Sequence, residues 1–104
     1  MSNNSNWPFD QAPNAAVFSL KRIFNGDSKI LVVNHDIDDG GWQFLDGDEM
    51  TMADAILVCM KNVIDLDNTV VEVANMEPGY VASRNFVGDK WVIEKSIPLN
   101  DDVV

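Results

Sequence analysis

Carboxylates dominate the side chains in this chain that could do chemistry. Asp36, Asp38, Asp39, Asp46, Asp48, Glu49 and Asp54 fall within nineteen residues that hold no Lys or Arg. Three readings suit such a stretch. Flexible acidic loops offer the several oxygen ligands that a hard cation takes. A concentrated negative field speeds encounter with a basic protein surface. Alternatively, the carboxylates are solvated turn residues that keep a small domain soluble. An EF-hand loop starting at Asp36 needs Glu at its twelfth position, where this chain has Gly47, so that motif is excluded. His35, the one histidine, immediately precedes the acidic stretch. With Asp36, Asp38 and Asp48 it makes the donor set of a small cation-binding or hydrolytic site, against the plainer reading of a structural His bonded to an Asp or to backbone. Cys59 lies in the apolar run Ala55 to Met60. That run predicts burial, not the exposed electropositive setting of a nucleophilic thiol. No phosphate-cradling glycine loop, Gly-x-Ser-x-Gly elbow or Cys/His pair at zinc spacing occurs, and no cofactor is implied.

The balance of the whole chain extends the same theme. Its 104 residues carry 7 Lys plus Arg against 17 Asp plus Glu, a formal net charge of −10. Phosphate-backbone binding draws its affinity from clustered Lys and Arg, which are few and scattered here, so nucleic acid is excluded as a partner, and anionic membrane for the same reason. A basic protein partner fits the charge. The length predicts one domain with one core and no second domain. The longest apolar run, Ala55 to Met60, is far short of a membrane span. A lone cysteine permits no disulfide within the chain and suits a reducing compartment. The opening Met1-Ser2-Asn3-Asn4-Ser5-Asn6 has neither a basic start nor an apolar stretch behind it, so no secretory signal is predicted and the cytoplasm is the expected location.

The elements that must position these residues read as an α+β domain, mainly antiparallel sheet with one or two short helices. Residues 1–14, rich in Asn, Ser and Pro, read as a flexible N-terminal arm whose only large apolar groups are Trp7 and Phe9. The domain is expected over 15–97, with a frayed acidic tail at 98–104. Strands are predicted at Ala15–Leu20, at Lys29–His35 (buried on both faces), at Trp42–Leu45 and at Ala55–Met60. Asn25-Gly26 is a turn signal, and Lys21–Phe24 either continues the first strand or makes a turn of helix. Between Lys61 and Met76 apolar residues recur at helical spacing, with Asp67 as N-cap of a helix from Asn68 to about Asn75 and Pro78-Gly79 as its stop. Tyr80–Phe86 and Lys90–Glu94 read as a terminal hairpin turning at Gly88-Asp89. Trp42, Phe44, Tyr80, Phe86 and Trp91 are core candidates first. Trp42 or Trp91 could also anchor a partner.

The segment His35-Asp36-Ile37-Asp38-Asp39-Gly40-Gly41-Trp42-Gln43-Phe44-Leu45-Asp46-Gly47-Asp48-Glu49 is followed by Ile64-Asp65-Leu66-Asp67, by Pro78-Gly79-Tyr80-Val81-Ala82-Ser83-Arg84 and by Trp91. Together these resemble the immunity protein 33 family, small bacterial domains grouped with polymorphic toxin systems and formerly of unknown function. The resemblance spans roughly residues 15 to 95, and it implies an α+β fold and a non-enzymatic protein that neutralises a toxin by binding it. The family's Asp-Pro-Ser helix start stands here as Asp67-Asn68-Thr69. Charge and resemblance together make Asp36, Asp38, Asp39, Asp46, Asp48 and Glu49 the expected partner-binding residues, with Trp42 as apolar anchor and a cognate toxin as the basic partner.

Overall fold

The first strand, β1 (Ala16–Leu20), alternates exposed and buried residues along Ala-Val-Phe-Ser-Leu before Leu20 carries the chain into a one-turn helix, α1 (Lys21–Phe24). Asn25 caps it, and Gly26 follows at φ 93°, a left-handed conformation that favours glycine. In this computed structural model, which describes residues 7–96, β2 (Val32–His35) and β3 (Trp42–Leu45) form a hairpin closed by the Asp36 N–H donating to the Gly41 carbonyl at 2.8 Å. A 3-10 turn (Met52–Asp54) leads into β4 (Ala55–Cys59), and α2 (Met60–Leu66) starts without a break. A 3-10 segment (Asn68–Val73), β5 (Tyr80–Ser83) and β6 (Val92–Lys95) complete the order.

The six strands make one mixed sheet in the order β4-β1-β3-β2-β5-β6. β1 and β3 pair in parallel, and the other four pairings are antiparallel. One face is filled. Val17, Val33, Trp42, Phe44 and Ala82 point to the side where Met60 and Val63 of α2, Val70 and Val73 of the 3-10 segment, and Met76 complete the core. The fold is therefore α+β, one small domain.

Several local expectations shift. Lys21–Phe24 is helix. The strand over Lys29–His35 shrinks to Val32–His35, and its burial alternates instead of being two-sided, because only one face of the sheet carries helices. The helical spacing from Lys61 to Met76 resolves into two pieces, since Asp67 adopts an extended backbone (φ −152°, ψ 94°) between them. Asp67 does cap the second piece: its carboxylate accepts the Thr69 N–H at 3.0 Å. The terminal hairpin is present as β5 and β6. Phe86, a core candidate, is 61% exposed in the connection between them. Cys59 is half-buried, not buried, because β4 is an edge strand.

Residues 7–14 are not a loose arm. Phe9 belongs to the core and meets Trp42 edge-on with ring centroids 5.0 Å apart. Gln11 Nε2 donates to the Gly40 carbonyl at 2.9 Å, and the Pro13 and Ala15 carbonyls accept the Lys61 and Met60 N–H groups at 2.9 Å each. The segment thus straps the β2–β3 loop to the start of α2. The first six residues of the expected arm, and the tail at 98–104 with residue 97, lie outside the described residues.

Candidate functional site

The acidic loops are built by their own first carboxylates. Asp36 Oδ1 accepts the Asp38 N–H at 2.8 Å, and Asp39 Oδ1 accepts the Gly41 N–H at 2.8 Å, two successive Asx turns that hold the β2–β3 loop in shape. Gly40 sits between them at φ 72°. After β3 the device repeats, with Asp46 Oδ1 accepting the Asp48 N–H at 3.1 Å. Each turn engages an oxygen locally and orders a loop that would otherwise lose entropy on binding.

Asp46 stands apart from the other carboxylates. Its side chain is only 2% exposed and lies in a two-pronged pair with Arg22 of α1, Nε to Oδ2 at 2.6 Å and Nη2 to Oδ1 at 2.9 Å. The Arg22 hydrogen bond holds the Asp46 carboxyl well below the usual carboxylate range, even though burial opposes the shift. The same bond raises Arg22. Arg22 Nη2 also donates to the Glu49 carbonyl at 3.0 Å, fixing the Asp46–Glu49 turn to α1. Asp54, 3.6 Å from Arg22 Nη1, is lowered chiefly by the hydrogen bond from the Thr51 N–H. Asp46 is therefore removed from the expected partner-binding set, since its charge is answered inside the fold.

Trp42 is removed as well. Its indole is 1% exposed, stacked on His35 with centroids 3.9 Å apart and planes at 17°, and covered by Phe9. The alternation of β3 places Trp42 and Phe44 on the helix-covered face, so Trp42 anchors the N-terminal strap and not a partner. Its Nε1–H donates to Asp10 Oδ1 at 3.0 Å. Trp91, the other anchor candidate, is half-buried with the Arg84 guanidinium 4.1 Å over its ring.

His35 is equally committed to the interior. Its Nδ1 lies 2.7 Å from the Met76 carbonyl, which can only accept, so Nδ1 carries the hydrogen. Its Nε2 is buried without a hydrogen bond, 3.5 Å from Asp10 Oδ2. The ring thus turns toward the strap and away from Asp36 and Asp38. Among the described residues no three His, Cys, Asp or Glu side chains gather as a metal-ligating set, so the donor group His35, Asp36, Asp38 and Asp48 does not form.

Asp36, Asp38, Asp39, Asp48 and Glu49 remain, half-buried at Asp36 and exposed at the rest, and none of them is in an ion pair among the described residues. They do not form one cluster. The first three lie in the loop before β3 and the last two in the turn after it, so at ~3.3 Å per residue the groups stand about 16 Å apart along the strand. That exceeds the screening length of about 8 Å at physiological salt, and the two groups act as separate charges.

Two groups of consequence were not identified from sequence. Asp10 fell in the segment read as an arm, where the neighbouring Trp7 and Phe9 were the available sign of attachment. Arg84 read only as a motif residue, yet its side chain is fully buried, donating to the Ile30 carbonyl, Thr69 Oγ1 and Asp67 Oδ2 at 2.8 to 3.1 Å.

Fold and site define a class: an α+β domain with helices on one face of its sheet and, at both ends of a central strand, acidic loops that carry carboxylates outside any ion pair among the described residues. Comparison with protein-family models, with curated proteins and with solved structures finds no match for this chain.

Proposed function

We propose that this chain is a non-enzymatic protein-binding domain, an immunity protein that neutralises a toxin by laying its acidic loops over a basic surface. The observation that carries the reading is the five carboxylates of Asp36, Asp38, Asp39, Asp48 and Glu49, none of which is in an ion pair among the described residues. Loops ordered in advance by Asx turns meet a partner with little further loss of freedom. The net charge of −10 adds long-range steering toward a basic surface. The resemblance to the immunity protein 33 family points the same way, and the single half-buried cysteine suits a reducing cytoplasm.

The test is capture from the source lysate at low and raised salt, followed by kinetics on the partner retained. Reversing Asp38, Asp39 and Asp48 together to Lys is expected to slow association strongly at low salt and much less at high salt. An unchanged association rate at low salt would remove the acidic loops from the interface.

A further inference from the structure

The sheet ends in two edges of different character. β6 carries Glu94 and Lys95 among its four residues, charges of the kind that keep an edge strand from pairing. β4, at the other edge, reads Ala-Ile-Leu-Val-Cys without a charge, a proline or a glycine, and among the described residues it pairs with β1 alone. An edge left open in this way is a template for another strand.

The open backbone groups of β4 follow from its register. The Met60 N–H donates to the Ala15 carbonyl at 2.9 Å, which makes these two residues a hydrogen-bonded pair in line with the β1–β4 ladder. Such pairs alternate along antiparallel strands, so Ile56 and Val58 turn their backbone groups to β1 while Ala55, Leu57 and Cys59 turn theirs outward. Two of the outward groups are already engaged. The Ala55 N–H donates to the Met52 carbonyl, and the Cys59 carbonyl, at the N-cap of α2, accepts the first bond of that helix. The Ala55 carbonyl, both groups of Leu57 and the Cys59 N–H remain open.

We propose that this edge pairs with the same edge of a second copy, β4 against β4 in antiparallel register about a two-fold axis at Leu57. The open set is its own complement. Leu57 exchanges both bonds with Leu57 of the other copy, and each Cys59 N–H meets an Ala55 carbonyl. The engaged groups, the Ala55 N–H and the Cys59 carbonyl, then face each other and need nothing. An unrelated strand in the same position brings a carbonyl opposite Ala55 and an N–H opposite Cys59 that find no partner, and unmade bonds of this kind are costly. Side chains agree with the join. Leu57 is 63% exposed beside Phe18 at 46%, so two such pairs form one apolar row across the axis. β3 lies two strands in from this edge, so the two copies of β3 stand about 24 Å apart at ~4.8 Å per strand, well beyond the screening length of about 8 Å at physiological salt. The acidic loops therefore neither oppose the pairing nor are covered by it, and the dimer goes beyond the acidic-loop reading without depending on it.

Sedimentation and amide hydrogen exchange of the full chain, followed from about 50 μM to about 1 mM at physiological salt, test the pairing. In the dilute chain the Ile56 and Val58 amides are expected to exchange slowly and those of Leu57 and Cys59 freely. In the concentrated chain the mass doubles and the Leu57 and Cys59 amides become protected as well. Leu57→Lys sets like charges opposite each other at the axis and should raise the dimer dissociation constant about tenfold, while mixing it with Leu57→Glu restores pairing as a heterodimer. The exchange measurement on the unaltered chain needs no variant to fold. A chain that stays monomeric at about 1 mM overturns the proposal. A dimer whose Leu57 and Cys59 amides still exchange freely uses another surface and overturns it too, and a Leu57→Lys chain that dimerises like the parent removes the axis from Leu57. Protection of both amides in a monomer assigns the edge to residues of the same chain outside 7–96, which also overturns the proposal.

Discussion

Arg84 donates from a fully buried position to the Ile30 carbonyl, Thr69 and Asp67, and its removal takes the donors from the Ile30 carbonyl and leaves the Asp67 charge without its cation, Oδ2 losing its donor while Oδ1 keeps Thr69. Breaking a buried pair in this way is strongly destabilising, so Arg84→Met is expected to cost about 3–5 kcal/mol in a urea titration. A loss under about 1 kcal/mol would mean that water reaches Asp67 and replaces the guanidinium. Asp46 supplies a pH dependence whose sign follows from its lowered pKa. The unfolded chain takes up the proton first, so the stabilisation is complete above the ordinary Asp value of about 4 and is lost as pH falls below it. Asp46→Asn should lower the melting temperature at neutral pH and flatten its fall between about pH 5 and pH 3. A fall as steep as in the parent chain would place the acid sensitivity on another carboxylate. At this scale the sequence showed which residues were chemically capable, but not which were already engaged. Asp46 and Asp48 look alike in a run of acidic letters, and only the approach of Arg22 from α1 distinguishes them.

The segment before β1 matters more than its composition suggests. Phe9 packs on Trp42, Asp10 receives the indole N–H, and Gln11 holds Gly40, so three consecutive residues tie the strap to the β2–β3 hairpin, two at the first residue of β3 and one at the loop. Phe9→Ala should therefore cost about 3–5 kcal/mol, as truncation of a core aromatic does. Denaturant midpoints check this directly, and a loss within about 0.5 kcal/mol, typical of a surface substitution, would mean that the strap is not part of the cooperative fold. Elements with a local signal were legible: the Asn25-Gly26 turn, the Trp42–Leu45 strand, the Asp67 cap and the terminal hairpin all follow from nearby residues. Two kinds of feature were not. The start of α2 at Met60 lies inside an apolar run that continues from β4 without a change of composition, so periodicity has nothing to mark. The parallel pairing of β1 with β3 joins residues far apart in the chain, and with it goes the knowledge of which sheet face stays open.

For the whole molecule, the net charge of −10 stands after every Lys and Arg is counted, and among the described residues only Arg22, Lys61 and Arg84 of these cations are in ion pairs. Self-repulsion then works against compactness, and added salt relieves it. The melting temperature at neutral pH is expected to rise when sodium chloride is raised from about 20 mM to about 500 mM, because the screening length shortens as salt is added. Near the isoelectric point, where the sequence pI is about 4.1 and the excess negative charge has been titrated away, the rise should disappear; a rise of equal size there would point to salting-out of apolar surface instead. The same placement of acidic groups on either side of β3 denies the molecule a single focus of charge and gives it two handles instead. The central parallel pair also has a consequence during synthesis. β1 leaves the ribosome early, yet Ser19 bonds to Phe44, 25 residues later, and its other neighbour β4 comes later still. A nascent chain therefore carries Phe18 and Leu20 without a strand partner until β3, the third of the six strands, has been made, and with the other edge of β1 open until β4 follows, so β1 is the strand that waits.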